Sequence, residues 1–431
     1  MKIFTLEEIL AEAYEKVPFY NSYFEQSFSD WKTSRDFSSL PVLDQSLFWK
    51  MAKAKMSNVL SEDPSGIVFK SGGTTGSPKF SFFTNEEWAT FTQEFGWGME
   101  QNAVESGDRI ANLFYAGDLY ASFLFIFSSL HYSKLKHLQL PIAGSTDTDK
   151  IYESLVHFGA NVICGVPTTL VNLAEKFLLE GKTIQLTKIL YGGEALLQDQ
   201  ESLLRQVFGN ARMQSIGYAS VDGGLLGFAS KNTNQRIHHV FSRSTIMELV
   251  DEDTLEPIHE CGRVGKLLLT SLTRKLMPII RYPVGDRVRW VNDDKDSRAF
   301  EIVGRSEEGA RIGPVTLYYD DVNEICRTVL RGRAKILGLQ LVSSTFGRKD
   351  NLLIKLAVDT SKDLNSSEIL DKLLHDRAEL GEALMKNLIN CPEIVFCHVA
   401  ELQTNSRTGK MLRVIDRRYI ENSPDLNISP A

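Results

Sequence analysis

The stretch SGGTTGSPKF, residues 71–80, combines three glycines, two threonines and two serines with a single lysine. Apolar residues occupy positions 67–69 before it and positions 80, 82 and 83 after it. This pattern predicts a strand, a loop and a second strand. A helix should begin near Thr84, because Glu87 stands three residues later, as in a capping box. We therefore expect a bare, hydroxyl-rich loop between two strands.

The loop has the chemistry of an anion site. Successive backbone N–H groups can converge in a turn that carries few side chains, and glycine permits this geometry. Thr74 and Thr75 add hydroxyl donors, and Lys79 adds a positive charge that can follow a phosphate. The loop is not a Walker A motif, since Pro78 precedes the lysine and Phe80 follows it. A surface β-turn is the alternative interpretation of the loop alone.

Length and composition limit the kind of protein. The chain has 431 residues, 43% of them hydrophobic, which is enough for two or three domains. Its 48 basic and 55 acidic residues give a net charge of −7, so we expect no nucleic-acid partner. The five cysteines form no CxxC pair, which favours a reducing compartment. We expect a cytoplasmic protein without a membrane partner. The most apolar run, residues 121–130, is too short to span a bilayer and should be buried core.

From about residue 107 to 270 the pattern alternates between strands and helices. NVICGVP and KILYGG have the apolar character of buried strands. An amphipathic helix, TTLVNLAEKFLLEG, lies between them, and ESLLRQVFG follows as another helix. Such alternation indicates an α/β domain with largely parallel strands. After about residue 236, a β-rich subdomain is predicted from the short strands TIMELVD, GKLLLTSL, RVRWV and AFEIVG.

The composition changes again at GRSEEGARIG, residues 304–313, a charged and glycine-flanked segment that is a candidate hinge. Beyond it, strand-like segments surround one predicted helix over residues 366–389. The sequence thus predicts the α/β class. A large amino-terminal domain, residues 1–303, should contain α/β subdomains and the β-rich subdomain. A small, mobile α+β domain, residues 304–431, should follow it.

Six segments resemble, in the same order, the motifs of the adenylate-forming superfamily, which includes acyl-CoA synthetases, peptide-synthetase adenylation domains and luciferases. They are SGGTTGSPK (71–79), YGGEAL (191–196), GYASVDGG (217–224), PIIRYPVGDRV (278–288), GR (304–305) and TNSRTGKMLR (404–413). Other text, such as YEKVPFY and VICGVPTTL, is similar to the phenylacetate–CoA ligase group. The resemblance covers nearly the whole chain, and six ordered motifs are far more specific than any single one.

The resemblance implies a reaction and a role for each motif. The family joins a carboxylate to ATP, giving an acyl-adenylate and pyrophosphate, and then transfers the acyl group to a thiol or an amine. Asp286 is expected to bridge the ribose hydroxyls, with a solvated turn residue as the alternative. Arg305 is expected to support the ribose, with a surface ion pair as the alternative. The β- and γ-phosphates are expected to bind Ser71, Gly72, Gly73, Thr74, Thr75, Gly76 and Lys79.

The two middle motifs imply an adenine pocket. Gly193 and Glu194 are expected to shape this pocket. Tyr218 is expected to stack on the base as a flat apolar wall, or else to be an aromatic residue of the core. The family position for nucleotide contact continues into Ala219 and Ser220, which we include in the nucleotide-binding set.

The metal position is where the sequence departs most from the family. Adenylation needs Mg²⁺ and therefore a hard oxygen ligand. Relatives supply a glutamate, and this chain has Asp222 instead, which keeps the charge but shortens the reach. Val221 lacks the hydroxyl that helps relatives hold the α-phosphate, and Ser220 is the candidate substitute.

Lys410, in RTGKMLR, is the expected catalytic cation, with Lys79 as the second catalytic residue. In relatives the counterpart of Lys410 swings over the active site and bridges the substrate carboxylate to the ribose-linked oxygen. A long, permanently charged side chain suits delivery into a closing cleft. A solvated surface lysine is the alternative. The hinge departs from the family pattern, but rotation around Ser306 and Glu307 is still expected. This departure makes the second half-reaction the step with the weakest analogy to the family.

The leading hypothesis is an ATP-dependent acid ligase that uses ATP, Mg²⁺ and coenzyme A. Aromatic residues in LFYAGDLYASFLF and FGWGM favour a flat, apolar carboxylic acid, although core packing explains them equally. An adenylating enzyme that uses an amine or a carrier-protein thiol as acceptor is the first alternative. A non-catalytic nucleotide-binding protein is the second. The sequence names neither the acid nor the acceptor, and a homodimer is compatible with it.

Overall fold

The computed structural model describes residues 2–71, 79–229, 236–294, 297–305, 308–346, 349–360 and 362–418. The helices within these ranges are α1 Leu6–Lys16, α2 Pro18–Ser34, α3 Gln45–Ala54, α4 Asn85–Glu100, α5 Ser122–His131, α6 Thr148–His157, α7 Pro167–Leu179, α8 Gln198–Phe208, α9 Tyr319–Leu330, α10 Ser366–Asp376 and α11 Ala378–Met385. The strands of the first half are β1 Gly66–Lys70, β2 Phe80–Thr84, β3 Arg109–Asn112, β4 Leu138–Pro141, β5 Val162–Gly165, β6 Lys188–Tyr191, β7 Arg212–Ser215, β8 Tyr218–Ser220, β9 Gly224–Ala229 and β10 Ile237–Val240. The strands of the second half are β11 Thr245–Val250, β12 Val264–Ser271, β13 Tyr282–Trp290, β14 Ala299–Arg305, β15 Gly309–Ile312, β16 Val315–Tyr318, β17 Ile336–Phe346, β18 Lys349–Val358, β19 Glu393–Cys397 and β20 Val414–Asp416.

The strand–loop–strand prediction around the glycine-rich loop is confirmed. Strands β1 and β2 pair antiparallel, with Lys70 opposite Phe80 at the end nearest the loop. Thr84 then caps α4: its hydroxyl accepts from the Glu87 N–H, and the Glu87 carboxylate accepts from the Thr84 N–H. The capping box fixes where the helix begins, directly after the second strand of the hairpin.

The middle of the chain forms a five-stranded parallel sheet in the order β4-β3-β5-β6-β7. Strands β5 and β6 are buried along their whole length, as expected for parallel strands covered on both faces. The predicted α/β class is confirmed. A seven-stranded sheet, in the order β11-β12-β13-β14-β10-β9-β8, accounts for the β-rich region after residue 236.

Residues 121–130 are not uniformly buried, which corrects the prediction of a core segment. They lie mostly in α5, which buries Phe125, Ile126 and Leu130 but leaves Leu124 42% and Phe127 40% exposed. The run is apolar on every side, but the helix packs only one face against α4 and the parallel sheet. In the described part of the chain, no helix has both the length and the low polarity needed to cross a membrane.

The carboxy-terminal part has a four-stranded sheet, β19-β18-β17-β20, and a β15–β16 hairpin. The single helix predicted over residues 366–389 is wrong, because the backbone leaves helical geometry at Arg377 (φ −121°, ψ 74°) and two helices result. The break lets Leu373 of α10 and Leu380 of α11 both reach the same core, where each is fully buried. No glycine or proline marks this break in the sequence.

The carboxy-terminal part of the chain shares one apolar core with the middle of the chain. Leu337, Ala357, Val399 and Leu402 from the carboxy-terminal part belong to the same buried cluster as residues of α7 and α8. Hydrogen bonds reinforce the contact: Asp199 Oδ2 accepts from the Ile336 N–H at 2.9 Å, and Gln200 Nε2 donates to the Leu337 carbonyl at 2.8 Å. The carboxy-terminal part is thereby seated on the end of the parallel sheet from which the YGGEAL segment emerges.

Candidate active site

The glycine-rich loop begins and ends on two residues that are bonded to each other. The Ser71 N–H donates to the Lys79 carbonyl at 2.9 Å, directly beyond the last pair of the β1–β2 hairpin. The predicted phosphate-contacting residues Gly72, Gly73, Thr74, Thr75 and Gly76 lie outside the described residues. The described residues therefore fix the two ends of the loop.

Lys79 faces a cluster of three oxygen atoms from distant parts of the chain. Its ammonium lies 2.9 Å from Gln45 Oε1, 3.1 Å from the Tyr282 hydroxyl and 3.4 Å from Asp222 Oδ2. The same ammonium lies 5.6 Å from the centroid of the Trp49 ring, within cation–π range. The loop lysine and the predicted metal ligand are thus direct neighbours.

Asp222 is held as a carboxylate by its surroundings. Its Oδ1 accepts from the Ser220 hydroxyl, and its Oδ2 accepts from the Tyr282 hydroxyl at 2.8 Å. Burial raises the pKa of Asp222, but the Lys79 ammonium and the two hydroxyl donors outweigh it and hold the pKa below its ordinary value. The Ser220 hydroxyl therefore stabilises the Asp222 carboxylate through a hydrogen bond.

Mg²⁺ fits this site as an ion shared with a substrate. Among the described residues, no group of three or more His, Cys, Asp or Glu side chains could hold a metal ion. One carboxylate plus phosphate oxygens is the usual way in which proteins bind Mg²⁺ at nucleotide sites. Asp222 is the carboxylate that would bind the ion, and the Lys79 ammonium already pairs with one of its oxygens at 3.4 Å.

Arg274, which no motif in the sequence indicates, holds the turn that carries Asp222. Its side chain is fully buried, and its guanidinium donates to the carbonyls of Asp222 at 3.1 Å, Phe82 at 3.2 Å and Val221 at 3.4 Å. The guanidinium also lies 4.2 Å from the centroid of the Phe83 ring. Burial lowers the pKa of Arg274 to about 10, so it remains charged at neutral pH. Arg274 thus joins the turn that carries Asp222 to the strand that follows the loop.

The predicted ribose residues lie together at one end of the seven-stranded sheet. Asp286 of β13 is directly opposite Arg305 of β14 in the strand register. Asp286 is 7% exposed and accepts a hydrogen bond from the Tyr218 hydroxyl. The Tyr218 ring lies beside Phe300 and His238, at centroid distances of 6.1 and 6.0 Å, and Ala219 follows it on β8. Tyr218 is therefore both a half-buried aromatic wall and a donor to Asp286.

His238 supports this end of the sheet as a buried neutral imidazole. Its Nδ1 faces the Arg236 carbonyl at 3.2 Å and its Nε2 faces the Ser215 hydroxyl at 2.8 Å, which suits a proton on Nδ1 and a lone pair on Nε2. Burial lowers the pKa of His238 to about 4, because the charged form loses its hydration.

This burial predicts a pH dependence of stability. The unfolded chain binds a proton at His238 below about pH 6.5 and the folded chain only below about pH 4. The free energy of unfolding should therefore fall as the pH drops through this window, by roughly 3 kcal/mol in total. Urea unfolding of the wild type and of His238→Gln at pH 7, 5.5 and 4.5 measures this free energy. The difference in the free energy of unfolding between the two proteins should shrink as the pH falls. A constant difference would refute the lowered pKa of His238.

Lys410 is carried by a compact turn, residues 404–411, which we name the Lys410 turn. Asn405 organises it: its Oδ1 accepts from the N–H groups of Arg407 and Thr408, and its own N–H donates to the Lys410 carbonyl. Gly409 has φ 68° and packs so tightly that a Cβ there would clash with the Tyr115 ring. Because of this packing, the turn is inserted into the amino-terminal part of the chain.

The Lys410 turn lies against the YGGEAL segment. Gly193 has φ 81°, and a Cβ there would come 2.8 Å from Lys410 Cε and 3.1 Å from its ammonium nitrogen. Glu194, predicted to shape an adenine pocket, is engaged by the turn: its Oε1 accepts from the Met411 N–H at 2.8 Å. Within the described part of the chain, the Lys410 ammonium has no ion pair. The cavity that remains beside Glu194 and Met411, about 10 Å³, has room for about one water molecule.

The turn also meets the start of the glycine-rich loop. Arg407 donates to the carbonyls of Lys70 at 3.0 Å and Ser71 at 3.2 Å. The structure therefore brings Ser71, Gly193 and Glu194 together around the Lys410 turn. Lys79 and Asp222 form a second group, and Asp286 and Tyr218 form a third. For Arg305 the description is limited to its backbone, and the predicted hinge residues Ser306 and Glu307 lie outside the described residues.

Comparison with known proteins gives full-length relatives. No family model matches the chain. It is 23% identical to the phenylacetate-coenzyme A ligase of Thermus thermophilus, over 96% of the chain and 95% of that enzyme. It is also 24% identical to the indoleacetate–lysine synthetase of Pseudomonas savastanoi, over 63% of the chain and 64% of that enzyme.

Solved structures of a CoA ligase have a fold similar to that of this chain. The fold is similar to that of 2-hydroxyisobutyryl-CoA ligase in its postadenylation state, with a TM-score of 0.72 and 18% identity over 96% of the chain and 88% of that protein. For the thioesterification state of the same ligase, the TM-score is 0.62. The resemblance found in the motifs is confirmed: over nearly its whole length the chain is similar to phenylacetate–CoA ligases, and it has the fold of a solved acid–CoA ligase.

Proposed function

We propose that this protein is an ATP-dependent ligase that converts a carboxylic acid into an acyl-adenylate and then transfers the acyl group to coenzyme A. The observation that carries the proposal is the position of Lys410. Its turn lies against Gly193 and Glu194 and is tied through Arg407 to Ser71. A lysine that has no ion pair in the described residues is therefore carried on a turn that is bonded to the start of a phosphate-type loop.

In the first half-reaction a carboxylate oxygen of the acid attacks the α-phosphorus of ATP. The bond from that phosphorus to the bridging oxygen of the β-phosphate breaks, and pyrophosphate leaves. Lys410 would neutralise the charge where the carboxylate meets the α-phosphate, and Lys79 the charge on the leaving pyrophosphate. Asp286 would accept from the ribose hydroxyls while Tyr218 fixes its carboxylate. Mg²⁺, held by Asp222 and phosphate oxygens, would supply further positive charge to the phosphates.

In the second half-reaction the acyl carbon bonds to the sulfur of coenzyme A, which loses its proton, and AMP leaves with a carboxylate oxygen of the acid. Alignment with a phenylacetate–CoA ligase over almost the full chain supports this acceptor. The higher TM-score to the postadenylation state supports the view that the structure represents the adenylation arrangement. We propose that residues 304–431 then rotate as a lid against residues 1–303, around Ser306 and Glu307.

An amine acceptor is the second candidate. The relative from Pseudomonas savastanoi is named for joining indoleacetate to lysine. The same first half-reaction serves both acceptors, since an acyl-adenylate reacts with an amine nitrogen as it does with a thiol sulfur. A carrier-protein thiol is the third acceptor that the chemistry allows.

An aromatic acid is the substrate class we propose. The region between the loop and β8 contributes to an aromatic-rich buried cluster, with Phe83, Phe91, Phe95, Phe114 and Phe125 among its members. Tyr115, Phe123 and Val221 are partly buried against it, so apolar surface lies within reach of the Lys410 turn. Both curated relatives described above are named for arylacetate substrates.

Acid-dependent ATP–pyrophosphate exchange tests the proposal. The purified protein is given ATP, Mg²⁺, labelled pyrophosphate and a panel of aryl, arylacetic and aliphatic acids. We expect exchange with at least one arylacetic acid, and rapid thioester formation when coenzyme A is added to the acyl-adenylate. Amide formation with an added amine, without thioester, would favour the second candidate. ATP binding without exchange on any acid would contradict the proposal.

Two further expectations concern the cell and the assembly. All five cysteines are free thiols, and burial raises the pKa of Cys164 and Cys326 to about 12, so these two are unreactive. We propose a reducing, cytoplasmic location on this basis. A homodimer is one assembly that the sequence allows, and size-exclusion chromatography with light scattering measures the oligomeric state.

A further inference from the structure

Arg407 lies three residues before Lys410 and connects distant ends of the chain. Its Nη1 donates to the Lys70 carbonyl and its Nη2 to the Ser71 carbonyl, across 336 residues of sequence in the latter case. These carbonyls stand at the end of β1 and at the start of the glycine-rich loop. One guanidinium therefore ties the Lys410 turn to the first residue of the predicted phosphate site.

Arg407 also contacts a carboxylate and an aromatic ring. Its Nε lies 3.6 Å from Asp118 Oδ2, its guanidinium lies 5.1 Å from the centroid of the Tyr120 ring, and its side chain is 14% exposed. Asp118 is shared with Lys70, whose ammonium lies 2.5 Å from the same oxygen. A planar guanidinium can serve carbonyls, a carboxylate and a ring at once, whereas a lysine ammonium is a single point charge.

The backbone that presents Asp118 is strained. Asp118 and Leu119 both have positive φ, 45° and 58°, which is unfavourable for residues that carry a side chain. The Leu119 carbonyl accepts from the Lys70 N–H at 2.9 Å, and Gly117 pairs with Tyr120 across the turn. Strain of this kind concentrates at functional contacts, and here it lies where Arg407 docks.

Glu194 holds the other side of the Lys410 turn. Its Oε1 accepts from the Met411 N–H, and its Oε2 accepts from the Thr168 N–H at 3.1 Å and the Thr168 hydroxyl at 2.7 Å. Thr168 lies in the first turn of α7, whose N-cap residue Val166 provides no side-chain cap. The carboxylate therefore satisfies a free N–H at the positive end of this helix. The residue after Lys410 is thus fixed to the end of a helix.

We infer that Arg407 and Glu194 are positioning residues that clasp the Lys410 turn from both sides and set its ammonium beside Gly193. This inference rests on the proposed function. Both contacts cross from the carboxy-terminal part to the amino-terminal part, so both break when the lid rotates away. The clasp favours the first half-reaction and has to open before the second.

Arg407→Ala tests the clasp by separating the two half-reactions. We expect acid-dependent pyrophosphate exchange to fall by about ten- to hundredfold, the usual effect of losing hydrogen bonds made by a charged group. Thioester formation from a supplied acyl-adenylate should stay within about twofold. Arg407→Lys should retain only part of the pyrophosphate exchange, because one lysine ammonium cannot replace the two parallel N–H donors of the guanidinium. Glu194→Gln should likewise lower pyrophosphate exchange and leave thioester formation from a supplied acyl-adenylate nearly unchanged. Arg333→Ala is the matched control, since Arg333 pairs with Glu368 within the carboxy-terminal part.

Hydrogen–deuterium exchange gives a readout that needs no substrate. In the wild type the Met411 N–H is bonded to Glu194, so the peptide spanning residues 404–413 should take up deuterium slowly. Arg407→Ala should speed this uptake by about tenfold or more, and Arg333→Ala should leave it unchanged. Unchanged uptake and unchanged pyrophosphate exchange in Arg407→Ala would overturn the clasp. Equal losses in both half-reactions would also overturn it, because they would indicate general damage. Faster uptake in a protein that activates no acid would support the clasp and reject the proposed function.

Discussion

Replacing Lys410 with alanine should lower the rate of acid-dependent pyrophosphate exchange by about 100- to 1,000-fold, the usual cost of removing a charge that stabilises a transition state. The Lys410 ammonium lies against Gly193 and has no ion pair in the part of the chain that the structure describes. Its removal leaves the fold almost unchanged, because the turn is held by backbone bonds to Asn405. The loss should appear in the turnover of adenylation more than in the KM for ATP.

The second half-reaction separates a catalytic role of Lys410 from a structural one. Lys410→Ala given a preformed acyl-adenylate should still make thioester at close to the wild-type rate. Lys386→Ala is the matched control, because Lys386 is an exposed lysine of the same part of the chain, paired only with Glu382 one helical turn away. Less than a fivefold effect on exchange, or an equal loss in both half-reactions, would show that the ammonium does not act on adenylation.

Replacing Arg274 with methionine should lower the free energy of unfolding by about 3 kcal/mol. Methionine fills a similar volume, but three carbonyls lose their donor and Asp222 loses a buried cation beside it. The urea midpoint, followed by tryptophan fluorescence, measures the change. Adenylation should fall as well, since the turn that positions Asp222 is no longer tied to Phe82.

Arg333→Met is the control for Arg274, because it exchanges the same side chains at a site where the ion pair with Glu368 is exposed. We expect it to change the free energy of unfolding by less than about 1 kcal/mol. A change of similar size in the two variants would mean that burial of Arg274 contributes little. Normal stability with lost adenylation in Arg274→Met would place its role in the site alone.

Features that depend on neighbouring residues could be predicted from the sequence. The strands and cap around the loop follow from alternating apolar residues and from the Thr84–Glu87 spacing, and the structure contains both. The parallel sheet follows from strand–helix alternation. The break at Arg377 could not be predicted, because no glycine or proline marks it and the burial of Leu380 after it depends on tertiary packing.

Contacts between distant segments explain most of what the sequence missed. Arg274 and Arg407 both bind backbone carbonyls, and a carbonyl has no signature in the sequence. Phe82 lies 192 residues from Arg274 in the sequence, and Ser71 lies 336 residues from Arg407. The motif of Glu194 predicts a place in an adenine pocket. Its hydrogen bond from the Met411 N–H joins two distant segments of the chain, so the sequence does not indicate it.

The path of one oxygen atom tests the central claim most directly. The protein is given ATP, Mg²⁺, coenzyme A and an accepted acid labelled with ¹⁸O in its carboxylate, and the products are analysed by mass spectrometry. Attack on the α-phosphorus predicts one ¹⁸O atom in AMP and none in pyrophosphate. Label in inorganic phosphate, with ADP as the other product, would place the attack on the γ-phosphorus and contradict the account.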